Sequence, residues 1–186
     1  MNFANKISTF RILTVPFFIA SLIYYTPEKG HLRLLALGIF ALAVISDAAD
    51  GYIARKSKQQ SKAGLVLDPL GDKLLLMSAF VCLSFEKFSP HFPTWVTLIV
   101  ISRDCIILLG TLVIYMVKQN FNIFPTPWGK FSTGFQMASV FAVLLRLPFS
   151  YIFWWGAVLF TVLSGAHYVR RGFQALYAAD NYRNNH

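Results

Sequence analysis

Apolar residues in this chain come in long, nearly unbroken runs. They show neither the period-two alternation of a half-buried strand nor the narrow stripe of a surface helix. Six runs approach the roughly 20 residues that a membrane-spanning helix needs: 9–26, 32–55, 64–85, 92–117, 131–147 and 149–170. The breaks carry turn or charge signals. They are Thr26-Pro27-Glu28-Lys29-Gly30, the stretch Lys56 to Lys62, Phe88 to Pro93, Lys118 to Gly129, and Leu147-Pro148. The pattern predicts six transmembrane helices and an all-α integral membrane protein forming a single domain over residues 1–186. No internal repeat or low-complexity tract interrupts it.

Composition excludes most alternatives. The 186 residues are 56% hydrophobic, 16% aromatic and only 13% charged, whereas soluble domains carry about 25% charge. A water-facing surface, disorder, a collagen repeat and a coiled coil all fall away. The remaining charge is lopsided, 17 Lys+Arg against 8 Asp+Glu. The basic residues sit between apolar runs, which points to anionic headgroups or a phosphorylated substrate rather than nucleic acid. With six spans, most of them fall on the side of the termini and the 56–63 loop. Only Lys29, Arg33, Lys87 and Arg146 are left on the other side. The positive-inside rule then predicts a cytoplasmic (inner) membrane protein with both termini and that loop facing the cytoplasm. Met1 to Lys6 opens an apolar run without a small-residue cleavage pattern, so no removable signal peptide is expected. Cys82 and Cys105 lie inside apolar runs and read as small buried hydrophobes. Phe153-Trp154-Trp155 reads as interfacial or lipid-facing surface.

Four of the eight carboxylates are out of place by these rules. Asp47 and Asp50 are three residues apart at the end of the second run; Asp68 and Asp72 are four apart at the start of the third. Each spacing puts a pair on one helix face, and a helical hairpin can bring the pairs together. Four carboxylates sharing a site repel one another unless a cation lies between them. Hard oxygen ligands suit Mg²⁺, Mn²⁺ or Ca²⁺. Four aspartates suffice for two such ions, the arrangement that clamps attacking and leaving oxygens in phosphoryl transfer. Gly51 and Ala54 share the face of Asp47 and Asp50 and leave a notch, suited to a flat ring or to close helix packing. Arg55 can bridge carboxylates or hold a phosphate bidentately. Gly64 stands one turn before Asp68, and Asp68-Pro69 marks a kink or the true helix start.

The segment reads Asp47-x-x-Asp50-Gly51-x-x-Ala54-Arg55, eight residues, then Gly64-x-x-x-Asp68-x-x-x-Asp72. It resembles the signature of the CDP-alcohol phosphotransferase family at every fixed position and in its spacing. The resemblance implies a six-helix membrane homodimer that uses divalent metal, two Mg²⁺ or Mn²⁺ ions. Such enzymes transfer a substituted phosphate from a CDP-linked donor to an alcohol and release CMP. It further implies metal ligation by Asp47, Asp50, Asp68 and Asp72. The donor would lie on Asp50, Gly51, Ala54, Arg55 and Gly64, with Asp72 as catalytic base.

Asn5 to Arg11 with Pro16, Asp68 to Leu75, and Gly129-Lys130-x-x-Thr133-x-x-Gln136-Met137 are similar to bacterial phosphatidylglycerophosphate synthases. That subfamily joins CDP-diacylglycerol to sn-glycerol 3-phosphate. Arg103, Lys130 and Arg11 are the candidates for the acceptor phosphate. Arg103-Asp104 and Ser132 instead resemble cardiolipin synthases, whose acceptor is phosphatidylglycerol, so both acceptors stay open at this point. Arg103 and Asp104 fall mid-run, where an isolated charge costs on the order of 3 kcal/mol. They are therefore expected to face a polar cavity or each other. An intramembrane carboxylate cluster also occurs in cation transporters and in prenyltransferases, but neither requires Gly51, Ala54, Arg55 and Gly64 at fixed spacing.

Overall fold

A computed structural model describes residues 3–57, 64–117 and 127–184, and the side chains of 11–48, 71, 73–110, 127–168 and 170. Six helices follow one another: α1 (Phe3–Ile23), α2 (Gly30–Ser57), α3 (Gly64–Leu83), α4 (Thr94–Val117), α5 (Pro127–Leu144) and α6 (Ser150–Asn184). Each coincides with one of the six apolar runs. The ends differ most in α1, which starts earlier, and in α6, which continues past residue 170. An apolar run marks where a helix is surrounded by apolar matter. The helix itself continues through polar residues, because its hydrogen bonds are internal. α3 starts at Gly64, so Pro69 lies inside it and the reading of Asp68-Pro69 as a helix start is corrected. The missing proline N–H comes just past the first turn, where it removes a single backbone bond.

α1 packs against both α2 and α3, α5 runs along α6, and α4 rests on α6. Among the described residues, α2 and α3 meet mainly through α1 and α5 rather than as a directly packed hairpin. Phe18, Leu22, Phe40, Leu76, Phe80, Val140 and Val143 are fully buried where these helices converge. Phe40 sits 5.9 Å from Phe18 and 5.0 Å, edge-on, from Phe141. α5 and α6 approach closely at Gly156, where an added Cβ would lie 2.6 Å from the Phe135 ring. Trp95 contacts both Trp154 and Trp155, at 5.7 and 5.3 Å, so the aromatic stretch of α6 partly serves α4–α6 packing. Cys82 is buried and Cys105 half-buried, both as free thiols.

The turn into α6 has a definite chemistry. Leu147 N–H donates to Ala142 O at 2.9 Å and Arg146 N–H to Val143 O at 3.1 Å. Arg146 is left-handed, with φ 59°. This is the paired bonding of a Schellman C-cap. Arg33, fourteen residues before Asp47 on α2, also donates to this helix end: Nε to Leu144 O at 2.9 Å and Nη2 to Val143 O.

The outer faces are apolar. Leu13, Phe17, Leu34, Leu42 and Leu109 are all more than 60% exposed. One described helical segment, Gly30–Ala48, is long and apolar enough by itself to cross a membrane; Arg11–Ile23 and Lys73–Leu83 are shorter apolar helices.

Candidate functional site

On α2 the residues Ala36, Phe40 and Ala43 form the buried stripe, at helical spacings of four and three. Asp47 is the next position in that register and Asp50 the one after. On α3 the buried positions Leu83, Phe80 and Leu76 run back, in the same way, to Asp72 and Asp68. Both stripes thus leave the apolar core and continue into carboxylates at the same end of the bundle. The side chains of Asp50, Asp68 and Asp72, and those of Ala54 and Arg55, lie outside the described residues, as does the side chain of Lys6. Gly51 and Gly64 are described only as helical backbone.

Asp47 lines a crevice with Arg11, Phe40, Ala43, Leu75 and Leu76. Leu75 and Leu76 stand three and four residues beyond Asp72, one helical turn away. α2 therefore presents Asp47 to the same crevice that α3 enters just past Asp72. The enclosed space is about 10 Å³, the lower limit for a single water. Arg11 is 2% exposed and reaches Asp47 at 3.2 Å, through Nη2 to Oδ1. Placing a guanidinium against the carboxylate offsets the charge that the surrounding Phe, Ala and Leu side chains cannot solvate. Of the three candidates for the acceptor phosphate, Arg11 accordingly sits on Asp47.

Arg103 takes part in a second polar centre. It donates from Nη1 to Asp104 Oδ1 at 2.6 Å and from Nη2 to Ser164 Oγ at 2.5 Å. Asp104, fully buried, also accepts from Lys73 Nζ at 2.9 Å. Lys73 is the residue after Asp72, so this pair ties α4 to the α3 turn that carries the last aspartate. The cluster holds two cations and one carboxylate, and Arg103 Nε is enclosed without a partner. It has donors and positive charge to spare. On α5 and α6, Ser132 and Thr161 hydrogen-bond at 2.9 Å, and Gln136 donates to both at 3.3 Å. Lys130, two residues before Ser132, is exposed. The structure does not bring Lys130 into described contact with Arg103 or Arg11.

The roles of Lys73, Ser164, Thr161 and Gln136 were not legible from spacing. A polar residue within an apolar run is the only signal that marked them, and it does not say which helix each one faces. Among the described residues no group of three or more Asp, Glu, His or Cys side chains comes together. The described member of the aspartate set is Asp47.

A family model, CDP-alcohol phosphatidyltransferase, matches residues 1–163. The chain is 32% identical over 176 residues to a "Probable phosphatidylglycerophosphate synthase" of Mycobacterium tuberculosis (strain H37Rv), covering 91% of this chain and 81% of that protein. It is 31% identical over 194 residues to a "CDP-diacylglycerol--glycerol-3-phosphate 3-phosphatidyltransferase" of Bacillus subtilis (strain 168), covering 94% and 97% respectively. A Pseudomonas fluorescens protein with the same name is 34% identical over 161 residues, covering 83% and 77%.

Proposed function

This chain belongs to the CDP-alcohol phosphatidyltransferase family, and from that premise we propose that it makes phosphatidylglycerophosphate and CMP from CDP-diacylglycerol and sn-glycerol 3-phosphate. The observation that carries this reading is near full-length similarity to proteins named for that reaction. The complete aspartate signature in the sequence, in helical register with the buried residues of α2 and α3, supports it further.

The donor set fits a hard divalent cation, Mg²⁺ or Mn²⁺. Asp47 is half-exposed at the mouth of its crevice, and Asp50, Asp68 and Asp72 follow in register on the same two helices. These four carboxylates would hold one or two ions, which when bound supply charge neutralisation for the donor pyrophosphate and the departing CMP. The remaining work falls to the chain's own side chains. Asp50, Gly51, Ala54, Arg55 and Gly64 form the donor cradle, in which small residues admit the cytosine ring and Arg55 pairs with phosphate. Asp72 accepts the proton of the acceptor hydroxyl as that oxygen attacks the phosphorus bearing the diacylglycerol. The bond from that phosphorus to the CMP oxygen breaks as the new one forms. Arg103, with a spare enclosed N–H, and Lys130 hold the acceptor phosphate and orient its primary hydroxyl. Arg11 stays on Asp47 and keeps that carboxylate aimed.

We read the apolar exterior as lipid-facing and the six helices as six spans. Both termini and the aspartate end would then lie in the cytoplasm, and the working unit would be a homodimer. The test is CMP release by purified protein in detergent, given CDP-diacylglycerol and either acceptor. CMP with sn-glycerol 3-phosphate and none with phosphatidylglycerol is expected. The reverse pattern assigns the chain to cardiolipin synthesis, and no CMP with either removes the reaction.

A further inference from the structure

Charge counting leaves four cations at the end opposite the aspartates, and three of them, Arg33, Lys87 and Arg146, converge on one aromatic pair. Tyr25 and Phe88 stack at 4.8 Å. The Arg33 guanidinium lies 5.8 and 5.9 Å from their ring centres, and Lys87 Nζ lies 5.5 Å from that of Phe88. Arg146 Nη2 donates to the Tyr25 hydroxyl at 2.6 Å. Lys87 also donates to Ile23 O at 2.7 Å. Arg33 is 3% exposed, and with Nε and Nη2 spent on the end of α5 its Nη1 is enclosed without a partner.

None of the three cations forms an ion pair among the described residues. Glu28 and Glu86, on the adjoining loops, are exposed and outside ion-pair distance. Ring faces and carbonyl oxygens offset part of the mutual repulsion, and a surplus of positive charge and of N–H donors remains. Lys87 also stands at the rim of a large open groove of about 1,180 Å³ between α1 and α3. Ile19, Ile23, Val81 and Phe85 line it, with Glu86 beside Lys87 at the rim. A cation cluster at the mouth of an apolar groove matches a molecule with an anionic head and a hydrocarbon tail.

We propose that this end of the bundle is a binding site for an anionic phospholipid. Its phosphate lies among Arg33, Lys87 and Arg146, and an acyl chain lies in the groove between α1 and α3. The site stands about 21 Å along α2 from Asp47 and is separate from the aspartates. It accounts for cations at the end where the distribution of charge disfavours them.

Native mass spectrometry of the full chain in detergent tests this with dioleoyl phosphatidylserine, which is neither donor nor acceptor in the proposed reaction. Dioleoyl phosphatidylcholine and inorganic phosphate are the comparison arms. Wild type is expected to retain phosphatidylserine in preference to phosphatidylcholine, with inorganic phosphate alone retained far less. Arg146→Asn suits the left-handed backbone there and leaves the Arg33 cap in place. It and Lys87→Gln are each expected to weaken phosphatidylserine retention about tenfold, the worth of one charge-assisted hydrogen bond. Asp47→Asn is expected to leave retention unchanged. Two results overturn the proposal: wild-type retention in both Arg146→Asn and Lys87→Gln, or binding of inorganic phosphate with no preference for the lipid.

Discussion

Asp104 is fully buried between Arg103 at 2.6 Å and Lys73 at 2.9 Å, whereas the Asp47 side chain is 38% exposed and faces Arg11 at 3.2 Å. Removing the first carboxylate strands two enclosed cations. Asp104→Asn is therefore expected to destabilise the fold by about 3–5 kcal/mol, the usual result of breaking a buried pair from one side. Thermal unfolding in detergent measures this, and an unchanged midpoint would place solvent or another anion beside Lys73. Asp72→Asn should act on chemistry instead. Turnover is expected to fall by at least a hundredfold, in the range of general-base catalysis, while binding of CDP-diacylglycerol persists. Loss of donor binding together with rate would make Asp72 a metal ligand only. Replacing Asp47 by Asn removes a ligand charge and should weaken the activation by Mg²⁺ as well as the maximal rate.

Helix contacts are set by single small residues as much as by large ones. Gly156 lets α6 approach α5 until the Phe135 ring fills the space where a Cβ would stand. Gly156→Ala is expected to cost about 1–3 kcal/mol through forced repacking of that ring. Gly134→Ala, with nothing within 4 Å of its added Cβ, should leave the same melting curve in place. Equal melting curves for the two variants would mean that Phe135 swings aside freely. The C-terminus of α5 is secured differently, by its Schellman bonds and by Arg33 reaching over from α2. That connection explains how an arginine comes to be 3% exposed in an apolar run: two of its N–H groups donate to carbonyls at a helix C-terminus, where positive charge is favoured.

At the scale of the whole molecule, the proposed orientation puts the start of α2 and the end of α5 on one side of a membrane and the aspartate end on the other. In a background lacking Cys82 and Cys105, a cysteine at Lys29 should react with a membrane-impermeant thiol reagent in intact cells. One at Ser57 should react only after permeabilisation, and the opposite result inverts the topology. Six helices and their breaks were legible in the sequence, because runs of apolar residues bounded by Pro, Gly and charge leave few other structures open. The aspartate signature was legible because its spacing is local: three, four and seven residues decide a helix face without knowledge of any neighbour. Which helix sits beside which was not local. Among the described residues α1 packs against both α2 and α3, a pairing that no local spacing shows. The apolar faces of these helices are nearly alike, and their pairing depends on shape, as at Gly156, and on a few polar contacts. Arg11 on Asp47, Lys73 and Arg103 on Asp104, and Arg33 on α5 join residues from 31 to 111 positions apart, apart from the adjacent Arg103 and Asp104. Their charges could be read off the chain, but their partners depended on which helix ends the folded bundle brought together.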